Sequence, residues 1–212
     1  MLEIAPATPP AARCVVALHG LGASGADLAP LAPLLAPDAR WLLPDAPVRP
    51  VSINMGMRMP AWYDIREPDL EAAEDAAGLE ASAATVTALI AEQRQAMGLA
   101  AADFILVGFS QGAALALLTA LRAPEPLGAV VALSGYLPLK ERLQKEEPWP
   151  AATRFFLGAG AEDQVIPPGR SEASAALLRA RGCEAEFRRY AGLGHGIAEQ
   201  EIADARAFLA GG

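Results

Sequence analysis

The stretch from Phe104 to Leu121, FILVGFSQGAALALLTAL, carries no charge and limits more than any other segment what this chain can fold into. It has roughly the length of a membrane span, yet its character changes halfway. Phe104 to Val107 is a run of β-formers, and Ala113 to Leu121 is rich in strong helix formers. Between them, Gly108 and Gly112 bracket Phe109, Ser110 and Gln111, placing a hydroxyl and an amide where a span would be most apolar. The stretch therefore reads as a buried strand, a sharp turn and a helix.

The same alternation recurs along the chain. Cys14 to Leu18, Arg40 to Leu43 and Ala129 to Leu133 are short apolar runs, each ending in polar or glycine-rich residues, and Phe155 to Leu157 and Ala185 to Tyr190 supply two further strands. Helical patterns fill Asp69 to Met97, Gly169 to Arg181 and Ile197 to Leu209. Strands alternating with helices imply an α/β fold, a mostly parallel sheet with helices on both faces, whose ligands bind at the carboxyl ends of the strands. Val48 to Pro68 and Tyr136 to Pro150, both rich in proline, read as loops over that edge. At 212 residues, with no charge block or low-complexity linker, residues 1–212 are expected to form a single domain.

The net charge of −8 and the absence of any Lys and Arg cluster disfavour nucleic acid and anionic membranes as partners. The start, MLEIAPATPPAARC, lacks a basic segment followed by an apolar one, so it does not read as an export signal, and the expected compartment is the cytoplasm. Cys14 and Cys183 fall in different predicted strands without a CxxC spacing and read as buried free thiols.

Gly108-Phe109-Ser110-Gln111-Gly112 is a G-x-S-x-G between a strand and a helix, the context of a nucleophile elbow. A serine hydroxyl needs a base, and only two histidines exist. His19 precedes the serine in the chain; His195 follows it in the glycine-flanked loop AGLGHGIAEQ and matches the order serine, acid, histidine of this architecture. The orienting carboxylate falls on Asp163, the one aspartate between Ser110 and His195, with the neighbouring Glu162 as its rival. Oxyanion donors are expected from the backbone N–H of Gln111, next to the nucleophile, and of Leu21, in the glycine-rich turn LHGLGASGADL. Neither a Walker A ending nor G-x-G-x-x-G is present, and two distant histidines with two distant thiols build no metal site. Met55, Met57 and Met59, with Trp62, either line an adaptable apolar groove or pack beneath their own loop; Val165 and Ile166, beside the acid, are candidates for the same groove.

Taken in order, LHGLGASGADL, PDAPVRPVSINMGMRMPAWYDI, GFSQGAALAL, DQVIP and GHGI resemble the small carboxylesterases related to acyl-protein thioesterases, the phospholipase/carboxylesterase family. The resemblance covers most of the chain. It implies an α/β-hydrolase fold without a separate cap domain, a Ser110, Asp163, His195 triad, an oxyanion hole from the amides of Leu21 and Gln111, ester or thioester substrates with short to medium acyl chains, and no cofactor. Two positions depart from the family pattern. Ala159-Gly160-Ala161 stands where a histidine-glycine-acidic sequence is usual, which suggests a rearranged turn before Asp163, and Tyr63 stands where phenylalanine is more common. The leading expectation is a serine hydrolase acting through an acyl-serine intermediate on a small ester or acylated substrate. The alternative is a non-catalytic acyl-ligand-binding protein on the same fold. An exposed apolar rim would serve either substrate entry or a homodimer contact.

Overall fold

The computed structural model describes residues 1–146 and 148–211. In chain order the strands and helices are β1 (Leu2–Ile4), β2 (Cys14–Leu18), α1 (Ala32–Leu35), β3 (Arg40–Leu43), β4 (Val48–Val51), β5 (Met57–Pro60), α2 (Ala76–Met97), β6 (Phe104–Phe109), α3 (Gln111–Arg122), β7 (Ala129–Leu133), α4 (Lys140–Leu143), β8 (Arg154–Gly160), α5 (Pro168–Ala180), β9 (Glu184–Tyr190) and α6 (Glu199–Ala210). Seven strands form one sheet in the order β1-β3-β2-β6-β7-β8-β9. Only β1 runs antiparallel, against β3; every other pairing in this sheet is parallel.

A sheet covered on both faces explains why its central strands are apolar without alternation. Along β2, Cys14, Val16 and Leu18 point into one hydrophobic cluster with residues of α2, α3 and α5. Val15 and Ala17 point into the other, which includes residues of α1 and α6. Phe155 and Phe156 divide between the two clusters in the same way. Fully burying a side chain of this size contributes about 1.5–3 kcal/mol, so the two clusters hold the strand ends, and the residues following them, in fixed relative positions.

The structure departs from the sequence expectations in several places. The helix expected from Asp69 starts only at Ala76, where the Asp75 carboxylate accepts the Gly78 N–H as an N-cap. The preceding acidic residues serve tertiary contacts instead: Asp69 pairs with Arg170, Glu71 with Lys140, and Glu74 accepts the Leu139 N–H. The expected loop Val48 to Pro68 contains a two-stranded antiparallel ribbon of β4 and β5, turned by Met55 and Gly56 at φ 55° and 75°. Helix α4 interrupts the expected loop Tyr136 to Pro150. Finally, β1, α1 and a 3-10 turn at Gly25–Leu31 had no counterpart in the sequence reading. Both cysteines are free and buried, Cys14 within β2 and Cys183 just before β9 rather than inside a strand. Burial pushes the Cys14 thiol up to about 12, which leaves it inert.

Candidate active site

The site is assembled from the carboxyl ends of β2, β6, β8 and β9. At the end of β6, Ser110 is held at φ 54° and ψ −117°, outside the ordinary allowed regions for a residue with a side chain. Two close approaches enforce that turn. A Cβ at Gly108 would run into the backbone of Gly112, and one at Gly112 would run into the carbonyls of Leu18 and His19 at the end of β2. The Ser110 N–H donates to the Leu133 carbonyl at 2.9 Å, tying the elbow to β7. Its hydroxyl is thereby presented at the mouth of the sheet.

The neighbouring amide has a purpose that the motif alone does not disclose. The Gln111 side chain is buried; its Oε1 accepts the Trp62 N–H at 2.9 Å and its Nε2 donates to the Tyr63 carbonyl at 2.8 Å. Trp62 in turn donates from Nε1 to the His19 carbonyl at 2.9 Å. The elbow, the turn after β2 and the segment after β5 are thus one hydrogen-bonded unit.

His195 stands on the loop between β9 and α6. Its Nε2 lies 3.0 Å from Ser110 Oγ and its Nδ1 lies 2.8 Å from Asp163 Oδ2. Asp163 follows β8, its carboxylate fully buried; Oδ1 accepts the N–H groups of Val165 and Ile166, each at 2.9 Å. With the carboxylate accepting from Nδ1–H, Nε2 carries a lone pair aimed at the serine hydroxyl. The Phe109 ring packs against the imidazole, centroids 5.0 Å apart. Glu162, the rival carboxylate, instead accepts the Gly192 N–H at 3.0 Å and braces the His195 loop. Across the Ala159-Gly160-Ala161 departure, β8 simply continues to Gly160, where a Cβ would strike the carbonyls of Leu193 and Gly194.

The Leu21 N–H has no acceptor among the described residues, and Gln111 opens α3, where a backbone N–H has no partner within the helix. Both Leu21 and Gln111 border a cavity of about 320 Å³ that also contacts Ser110 and His195. The rest of its wall is apolar or aromatic: Gly20, Ala23, Tyr63, Ile65, Leu70, Phe109, Tyr136, Val165 and Ile166. Burial raises the Tyr63 phenol and pushes Tyr136 up to about 12, keeping both neutral.

Of the candidates for the groove, Val165 and Ile166 border this cavity, whereas Met55, Met57, Met59 and Trp62 stand outside its wall. Met55 and Met57 project from the β4–β5 ribbon, 95% and 62% exposed. Met59 receives the Asn54 side-chain amide at 3.3 Å. Trp62 is buried against the His19 ring, centroids 5.2 Å apart. Met57 and Met59 share one face of β5, whereas Met55 belongs to the turn of the ribbon. Ile65, Leu70 and Tyr136 were missed because they arrive from irregular segments with no periodic signal.

Among the described residues, no group of three or more His, Cys, Asp or Glu side chains is arranged to hold a metal ion, and no helix is long and apolar enough to cross a membrane.

Comparison with known proteins agrees with this architecture. The phospholipase/carboxylesterase family matches residues 1–211. Acyl-protein thioesterase 1 of Yarrowia lipolytica is 37% identical over 203 residues, covering 90% of this chain and 87% of the relative. Acyl-protein thioesterase 1 of Emericella nidulans is 36% identical over 222 residues, covering 97% and 92%. The crystal structure of acyl-protein thioesterase 2 from Zea mays superposes with a TM-score of 0.88 at 30% identity, covering 99% of this chain and 97% of that one. An α/β-hydrolase sheet, an elbow serine facing an imidazole and a buried carboxylate, and these relatives together make the chain a member of the phospholipase/carboxylesterase family.

Proposed function

We propose that this protein is a serine hydrolase that cleaves carboxylic esters or thioesters of short to medium acyl chains, with Ser110 as nucleophile, His195 as general base and acid, and Asp163 as the group that orients His195. The hydrogen-bonded series Ser110–His195–Asp163, opening on an apolar cavity, is the observation that carries this reading. In the first half-reaction His195 Nε2 takes the Ser110 proton as Oγ bonds to the acyl carbon. The amides of Leu21 and Gln111 receive the developing oxyanion. The imidazolium, held by Asp163, then protonates the departing alkoxide or thiolate. Water then enters; its oxygen bonds to the acyl carbon as His195 takes its proton, and His195 returns that proton to Ser110 Oγ as the acyl group departs as a carboxylic acid.

The cavity sits near the lower end of the roughly 300–1,000 Å³ usual for ligand sites, which supports acyl chains of modest length along Tyr63, Ile65, Leu70, Val165 and Ile166. The thioesterases among the relatives support acylated substrates on a sulfur as well as an oxygen leaving group. Two buried free thiols support a reducing, cytoplasmic setting.

Ser110→Ala tests the reading directly. Turnover of p-nitrophenyl butyrate should fall by about 10⁴–10⁶ with the circular dichroism spectrum unchanged, and labelling by a fluorophosphonate should be lost. Near-normal hydrolysis by the variant overturns the assignment. Wild-type protein that neither hydrolyses the ester nor takes the label points instead to an acyl-binding protein without catalysis.

A further inference from the structure

Beneath the His195 loop lies a carboxyl group that the reaction does not use. Glu201 is the third residue of α6 and is fully buried. Its Oε2 accepts the Ala198 N–H at 3.4 Å, closing the turn that leads from His195 into the helix. Its Oε1 is buried without a hydrogen-bond partner. It rests on Gly158 of β8, where any Cβ would overlap that oxygen. Since β8 leads to Asp163 and α6 follows His195, one side chain wedges the two supports of the hydrogen-bonded pair against each other.

Among the described residues, no cation is paired with it. From β8 the nearest residues, Leu157 to Gly160, are not ionisable, and Arg154, farther along the strand, pairs with Glu184. From β9, Tyr190 donates to Asp204 and Arg188 pairs with Glu186 and Asp204. On α6 itself the nearest ionisable residues, Glu199 and Asp204, are acidic, and Arg206 is exposed more than a turn away. His195 and Asp163 are engaged with each other. A buried carboxylate without a counter-charge is costly, whereas the protonated acid is tolerated.

Building on the serine-hydrolase reading, we propose that Glu201 is a positioning residue: in its neutral form it seats the start of α6 on Gly158 and so fixes His195 relative to Asp163, and its ionisation unseats that contact and lowers turnover. Burial raises its carboxyl from the usual 4.5 to about 7, so the neutral form dominates below neutrality. A folded-state value above the unfolded one means that the folded chain binds the proton more tightly. The stability contributed by this proton is complete below about pH 4.5 and is lost as pH rises through about 7.

The test compares wild type with Glu201→Gln, which keeps the shape and an acceptor for Ala198 but cannot ionise. kcat and KM for p-nitrophenyl butyrate are measured from pH 6 to 9. The two proteins should agree within about 2-fold at pH 6; by pH 9, two units above the ionisation, wild-type kcat should fall roughly tenfold below that of the variant while KM stays equal. Thermal midpoints should diverge in the same direction, with the variant gaining on wild type as pH rises. Superimposable kcat profiles, or a variant slower than wild type at pH 6, overturn the proposal. The ring resonances of His195, followed by NMR in both proteins, report its surroundings without turnover. They should shift with the Glu201 ionisation in wild type only, even if Ser110 proves not to be the nucleophile; an identical response in both overturns the role of Glu201.

Discussion

The turn after β2 and the loop after β9 each present one histidine at the same edge of the sheet, and the two imidazoles share a protonation pattern. In His19, Nδ1–H donates to the Gly20 carbonyl at 2.7 Å and Nε2 accepts the Ala46 N–H at 2.9 Å. In His195, Nδ1–H donates to Asp163 and Nε2 faces Ser110. The tautomer inferred from the partners is the same. What differs is the donor opposite Nε2: a peptide N–H does not surrender its proton at any ordinary pH, whereas a hydroxyl attacking an acyl carbon does. His19 is moreover fully buried, while the His195 ring keeps 22% of its surface open. An imidazole becomes a base through the group it faces and its access to substrate, and the same ring elsewhere is a brace.

The contrast can be broken first at His195. His195→Ala should reduce kcat/KM for p-nitrophenyl butyrate by about 10⁴–10⁶ while leaving the thermal midpoint close to wild type. Next in size, Asp163→Asn should cost about 10⁴ in kcat, because the amide no longer selects the Nδ1–H tautomer; pre-steady-state acylation measures it. The reverse pattern belongs to His19. His19→Leu leaves the Ala46 N–H and the Gly20 carbonyl without partners inside the protein, so denaturant unfolding should show a loss of about 2–5 kcal/mol, with kcat falling far less than in the His195 variant. If His19→Leu instead matched His195→Ala in kcat at full stability, the distinction between brace and base would fail. Smallest of all, Met55→Ser with Met57→Ser should leave kcat/KM for this soluble ester within about 2-fold, as expected for exposed side chains outside the cavity wall.

The sequence disclosed those parts of the molecule that obey a local rule. Cys14 to Leu18, Arg40 to Leu43 and Ala129 to Leu133 end where expected because a short apolar run cut off by polar or glycine residues has one natural reading. The elbow was legible for the same reason, since two glycines around a serine between β-formers and helix formers admit little else. Asp163 and His195, candidates by chain order and scarcity, are brought beside Ser110 by the sheet. What escaped depends on distant partners. The helix expected from Asp69 lost its first turns to Arg170, Lys140 and Leu139, residues far along the chain. The cavity wall at Leu70 belongs to that displaced segment, and Ile65 to the irregular stretch just before it. The methionine alternation was visible, yet whether such a strand faces substrate or water is decided by the ribbon's placement, which no local pattern encodes.

The contact of Gly112 with the Leu18 and His19 carbonyls has a further consequence. Main chain rests on main chain there, so the spacing between the amides of Gln111 and Leu21 is a dimension that no rotamer change can readjust. Adding even one methyl group at that point would pry apart the two halves of the reaction centre, and repair would require shifting a whole strand. Tolerance to substitution should therefore be lowest where the chain has least bulk.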